Sequence, residues 1–223
     1  MARQTSQGKC NLCGETFGKA AMTRHLAACV QKHVASEKGQ KRIFHLQVEG
    51  RGLPYYWMHI EMPADAKLAD LDRFLRGIWL ECCGHLSAFN IAGQTYDVHP
   101  EPDPWGGKKP KGMGAKLGDV LQPGVKFGYE YDFGTTTELA LKVVGERAGA
   151  LKAKTVEILA RNDPPPINCG VCGKPATQVC TQCMFEGPEA WLCDEHAEEH
   201  ECGTDYFLPV VNSPRVGMCG YTG

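Results

Sequence analysis

Ile43-Phe44-His45-Leu46-Gln47-Val48-Glu49, then Gly50-Arg51-Gly52, then Tyr55 to Glu61, and past Pro63 the series Leu68, Leu71, Leu75, Ile78 and Trp79 set the architecture of this chain. In the first segment Phe44, Leu46 and Val48 alternate with Ile43, His45 and Gln47, the period of two that a strand with distinct faces requires. The glycine pair makes a turn, and Tyr56, Met58 and Ile60 share one face of a second strand. Beyond Pro63 the apolar residues recur at helical spacing, with Asp65 placed as N-cap and Trp79 widening the stripe. Asp70, Asp72, Arg73 and Arg76 fall on the other side, which makes this an amphipathic helix lying on a sheet.

Further strands follow at His85–Ile91, Thr95–Val98, Lys126–Tyr131, Thr137–Val144 and Thr155–Ala160, with a helical turn at Leu117–Leu121. Residues 100–114 are rich in Pro, Gly and Lys and read as a mobile excursion anchored by Trp105. The expected fold class is α+β: a mixed sheet with one main helix packed on it in a β-grasp-like order, plus two small zinc-stabilised modules. The expected division is 1–33 zinc finger, 34–42 linker, 43–162 α+β domain, and 163–223 double zinc module with a packed tail.

The modules are read from cysteine and histidine spacing. Cys10-x2-Cys13-x11-His25-x3-Cys29 places His25 and Cys29 one helical turn apart, opposite a Cys-x2-Cys step, with Phe17 and Met22 between the pairs as core. A segment this short has no other way to build a core. It resembles a Cys-Cys-His-Cys variant of the ββα zinc finger. At the other end stands Cys169-x2-Cys172-x7-Cys180-x2-Cys183-x9-Cys193-x2-His196-x3-His200-x-Cys202. In a cross-brace, Cys169, Cys172, Cys193 and His196 share one ion, and Cys180, Cys183, His200 and Cys202 share a second. The arrangement resembles B-box and treble-clef modules. Two sequential sites, with the first four cysteines on one ion, are the alternative, and Cys219 is the substitute if Cys202 falls short. Three zinc ions per chain are expected. Cys82 and Cys83 read as buried small hydrophobes.

The formal net charge of −2 conceals a basic head and an acidic end. Residues 1–42 hold eight Lys or Arg against two acids, and residues 163–223 hold two against nine. Lys19, Arg24 and Lys32 on the finger are therefore candidates for phosphate contact with DNA or RNA, and the acidic end for a protein partner. No apolar run approaches the ~18 residues of a membrane span and no signal-peptide pattern opens the chain, so a cytoplasmic protein without a membrane partner is expected.

A second line of reading comes from motifs in the middle. Leu68-Ala69-Asp70-Leu71, His85-Leu86-x2-Phe89-x-Ile91, Gly93, Tyr96, Leu117-Gly118-Asp119-Val120-Leu121 and Tyr129-x-Tyr131-Asp132-Phe133-Gly134 occur in this order. Over residues 43–146 the chain resembles the Ri-plasmid open-reading-frame-three-like family. The resemblance implies an α+β domain and a plasmid or mobile-element setting, with no established reaction. Asp132-Phe133-Gly134 is not a kinase signature, because the phosphate loop and catalytic loop are missing. It reads as a turn with Phe133 inward, Asp132 accepting hydrogen bonds and Gly134 at an unusual backbone angle. No catalytic constellation is legible, and no enzyme is expected. Three functions compete: an adapter contacting nucleic acid through its finger, a protein-interaction module, and an enzyme with a pocket around His85, Tyr129 and Asp132.

Overall fold

The computed structural model describes residues 6–33, 41–102, 109–152 and 155–223. Trp105, and residues 34–40 of the expected linker, lie outside the described residues.

The fold is mixed α+β, with a large and mostly antiparallel sheet and few helices. The elements in chain order are β1 (Gln7–Cys10), β2 (Thr16–Gly18), α1 (Lys19–His33), β3 (Lys41–Gly50), β4 (Leu53–Pro63) and α2 (Leu68–Leu75), which runs into a π-turn at Arg76–Leu80. Next are β5 (Ser87–Ile91), β6 (Gln94–Asp97), β7 (Lys111–Gly112), α3 (Leu117–Val120), β8 (Lys126–Tyr131), β9 (Thr137–Gly149) and β10 (Glu157–Asn162). The C-terminal region holds β11 (Gln178–Cys180), β12 (Trp191–Leu192), α4 (Asp194–Glu198) and β13 (Phe207–Pro209).

Ten strands form one sheet in the order β2-β1-β10-β4-β3-β9-β8-β5-β6-β7, and β12-β11-β13 form a second. Where a β-grasp-like order was expected, every pairing in the large sheet is antiparallel except the short β6–β7 edge. The long hairpin β3–β4 follows the alternation in the sequence: Phe44, Leu46, Val48, Met58 and Ile60 are all buried in the main core beside Leu68, Leu71, Leu75 and Trp79. The finger hairpin joins this same sheet through β1 against β10.

Three local expectations are corrected. Asp65 does not cap the helix: it pairs with Lys41 at 2.9 Å, and the helix starts only at Leu68, just after the Lys67 N–H donates to Asp70 at 2.9 Å. The backbone bridge from Lys67 to Lys116 holds the chain extended until that point. Asp72 and Arg76 do not face solvent. Asp72 lies four residues after Leu68 and three before Leu75, on the same side of the helix as that stripe, and is buried under β5 and β8, where Ser87 and Tyr129 donate to it. In the 132–135 turn, Phe133 is 48% exposed, and the left-handed residue is Asp132 (φ 64°) instead of Gly134.

The tail packs back on the body. Val210 and Val211 rest on the main core, Ser213 donates to the Trp79 carbonyl, and Arg215 is fully buried.

Candidate metal centres

All twelve Cys and four of the eight His side chains gather into four sets of four, with the ligand atoms of each set within 4.8 Å of one another. Each set is compatible with holding a metal ion.

In the finger, the β1–β2 hairpin carries Cys10 and Cys13, and α1 brings His25 and Cys29 over it. Cys10 and Cys29 sulfurs are 3.9 Å apart, and Cys13 Sγ is 3.3 Å from His25 Nε2. Phe17 stacks on the His25 ring at 4.3 Å. Met22, Leu26 and Val30 of the helix bury against Trp57, Leu159 and Ala160 of the sheet. Each such side chain contributes about 1.5–3 kcal/mol when fully buried, so the main sheet, and not the finger alone, completes this core.

In the C-terminal module, Cys169, Cys172, Cys193 and His196 make up the first set, and Cys180, Cys183, His200 and Cys202 the second. These are the cross-brace sets, and Cys202, not Cys219, completes the second. Cys172 to Cys193 is 3.8 Å and Cys193 to His196 is 3.2 Å; Cys183 to His200 and to Cys202 are both 3.6 Å. Burial disfavours the Cys169 thiolate, but backbone N–H groups of Cys193, Cys172 and Val171 outweigh that and bring its thiol down to about 6.

The fourth set was missed in the sequence. Cys82, Cys83 and His85, just past the π-turn, meet Cys219 from the tail. Cys82 is half-buried and Cys83 and Cys219 are exposed, so Cys82 and Cys83 are not the buried small hydrophobes expected of them. Cys83 lies 3.6 Å from Cys82, 3.8 Å from Cys219 and 3.0 Å from His85, and His85 is 3.2 Å from Cys219. The signal was present as Cys-Cys-x-His, but its partner lies 134 residues beyond His85, where spacing says nothing.

A tetrahedral zinc with bonds near 2.3 Å to sulfur and 2.0–2.1 Å to nitrogen spaces its ligands at about 3.8 Å (S to S) and about 3.6 Å (S to N). The sulfur–sulfur contacts, 3.6–3.9 Å, lie close to the first value, and the sulfur–nitrogen contacts run from 3.0 to 3.7 Å, mostly shorter than the second. The sulfur–sulfur contacts are far from the ~2.05 Å of a disulfide.

A family model described as plasmid pRiA4b ORF-3-like protein matches residues 42–201. The chain belongs to this family. The match runs beyond the α+β domain through most of the double cysteine-histidine segment, further than the motifs in the middle indicated. Among solved structures, a protein of unknown function from Methanosarcina mazei Go1 is similar at 20% identity, with a TM-score of 0.47, over 56% of this chain and 72% of that one. No curated protein matches the chain.

The Tyr129-x-Tyr131-Asp132 motif of this pRiA4b ORF-3-like chain divides its polar groups between two places. Tyr129 is fully buried and donates to Asp72 at 2.7 Å; Asp72 also accepts from Ser87 at 2.6 Å and pairs with Arg76 at 3.0 Å. Asp132 points the other way. Its Oδ2 accepts from Arg215 at 2.7 Å and lies 3.4 Å from His85 Nε2, while Oδ1 accepts from the N–H groups of Gly134 and Thr135. Burial raises the Asp132 carboxyl, but the Arg215 guanidinium and these N–H groups more than offset it and hold it below the usual range. His85, Tyr129 and Asp132 therefore do not share one pocket. A shallow concavity of about 620 Å³ lies on the sheet face beside Gln47, Glu49, Asn90, Lys126 and Lys142, and none of the three lines it.

Of the basic residues proposed for phosphate contact, Lys19 pairs with Glu49 at 2.6 Å on the docked side of the finger. Lys41 pairs with Asp65, and Arg42 pairs with Glu146. Arg24 and Lys32 are exposed and form no ion pair among the described residues. No helix among the described residues is long and apolar enough to cross a membrane.

Proposed function

We propose that this protein is a zinc-stabilised adapter without a catalytic centre, and that its finger contacts nucleic acid. The observation that carries the reading is ligand saturation. The finger set and the two C-terminal sets each supply four donors, mostly thiolates, which leaves zinc no open position for an activated water. Closed sites of this kind contribute an apparent ~10–16 kcal/mol each to folding. One ion in each of these three sets is expected by elemental analysis of the purified chain.

Nucleic-acid contact rests on Arg24 and Lys32, the exposed cations of the α1 helix. Two phosphate contacts predict a slope of about −2 in the logarithm of the binding constant against the logarithm of salt on duplex DNA, with no sequence preference. The double variant Arg24→Ala, Lys32→Ala is expected to remove that slope. Absent or salt-insensitive binding of the wild-type chain sinks the nucleic-acid reading. A stoichiometric protein partner that survives nuclease treatment would favour the acidic C-terminal module as the working surface instead.

A further inference from the structure

We infer that Cys82, Cys83, His85 and Cys219 form a fourth zinc site, a clasp that fastens the C-terminal tail to the α+β domain, and that the Tyr131-Asp132 motif is its scaffold. The site goes beyond the three read from spacing and does not depend on them.

Two sides of the clasp are held independently. On the domain side, the Tyr131 hydroxyl accepts the N–H groups of Cys82 at 3.5 Å and His85 at 3.4 Å and donates to Glu81 at 3.0 Å. One hydroxyl thus fixes both ends of the short loop that presents three ligands, and Gly84 (φ 82°) supplies the left-handed turn inside it. On the tail side, Arg215 is buried between Asp132 and Tyr131: it donates to Asp132 at 2.7 Å and its guanidinium lies 4.8 Å from the Tyr131 ring centre. This anchors the tail four residues before Cys219. Arg215 also donates to Cys82 Sγ at 3.4 Å, a cationic donor of the kind that a metal-bound thiolate accepts.

Backbone strain points to the same place. Three non-glycine residues among those described have positive φ, and two of them belong to this assembly: Cys219 (47°) is a ligand and Asp132 (64°) holds Arg215. Left-handed backbone is unfavourable for a residue with a Cβ, and it persists where the surrounding structure imposes it. Cys219 stands on an exposed turn between Gly217 (φ 79°) and Gly220 (φ 69°), with its sulfur turned toward the other three ligands. Three thiolates and one imidazole at these separations make a closed four-donor set of the kind that holds structural zinc.

The test uses the full-length chain, zinc-loaded and then dialysed, with zinc measured by elemental analysis. Four ions are expected for the wild type, one for each set, and Cys219→Ser is expected to lose one of them. Three ions in both proteins, or four in both, overturns the clasp and leaves the other three sites standing. No zinc in either overturns both readings. A second measurement needs no variant: alkylation of Cys83 and Cys219, followed by mass spectrometry. Although both are exposed, they are expected to resist the reagent until a chelator is added. Prompt alkylation before chelation, or a Cys83–Cys219 disulfide in the zinc-loaded chain, overturns the clasp.

Discussion

Replacing Arg215 with Met tests whether the tail is fastened by a buried charge pair. The Arg215 side chain is 0% exposed and Asp132 6%, so the substitution strands a carboxylate in the interior. Breaking a buried pair by removing one partner costs about 3–5 kcal/mol. Asp132 keeps the Gly134 and Thr135 N–H groups, which places the loss near the lower end of that range. Thr137 Oγ1 and the Thr135 carbonyl also lose their donor. A loss of about 3 kcal/mol is a large share of the 5–15 kcal/mol that holds a typical domain together. Adding Asp132→Asn should recover at least about 1 kcal/mol, because Asn removes the stranded charge, accepts the same two N–H bonds and tolerates the left-handed backbone. The assay is urea unfolding followed by tryptophan fluorescence at constant free zinc, with the denaturant slope compared across variants. A single variant within about 0.5 kcal/mol of wild type, or a double variant no more stable than the single, would refute the reasoning.

Two other predictions concern the seam between finger and sheet. His45 and His59 are hydrogen-bonded at 2.9 Å, and burial lowers them to about 4 and about 3. Near pH 6.5 the unfolded chain begins to take up protons that the folded chain refuses, so stability falls as pH drops from about 6.5 toward 4. His45→Gln should reduce that slope by about 1 kcal/mol per pH unit between pH 6 and 5; an unchanged slope in denaturant titrations would count against the neutral buried pair. Gly8→Ala should destabilise by about 1–3 kcal/mol. An added Cβ would sit 2.2 Å from the Arg161 carbonyl oxygen and 2.8 Å from the Trp57 ring, where β1 meets β10. Thermal unfolding with a wild-type midpoint would show that the finger does not dock there.

Local chemistry was readable wherever its partners are close in sequence. The β3–β4 hairpin, the stripe Leu68, Leu71, Leu75 and Trp79, and the gathering of His25 with Cys29 all follow from repeats of two, three or four residues. The pairing within the double module is also short-range, although spacing alone left a choice between crossed and sequential sets. Asp72 was misread as solvent-facing from its charge, although its spacing of four from Leu68 and three from Leu75 puts it on the buried side; Tyr129, Ser87 and Arg76, brought there by the fold, satisfy its carboxylate.

The amino-acid sequence by itself therefore determined the strands of the middle domain, their apolar faces and the finger's ligand set, since each depends on neighbours within one turn, one hairpin or one short loop; in the double module it left the crossed and sequential sets open. Only the tertiary structure decided that the finger shares the large sheet, that Arg215 returns to Asp132, and that Cys219 meets Cys82, Cys83 and His85. Those contacts join residues separated by 83 positions for Arg215 and Asp132 and 136 for Cys219 and Cys83. At such separations the path of the folded chain, and not any local periodicity, brings the groups together.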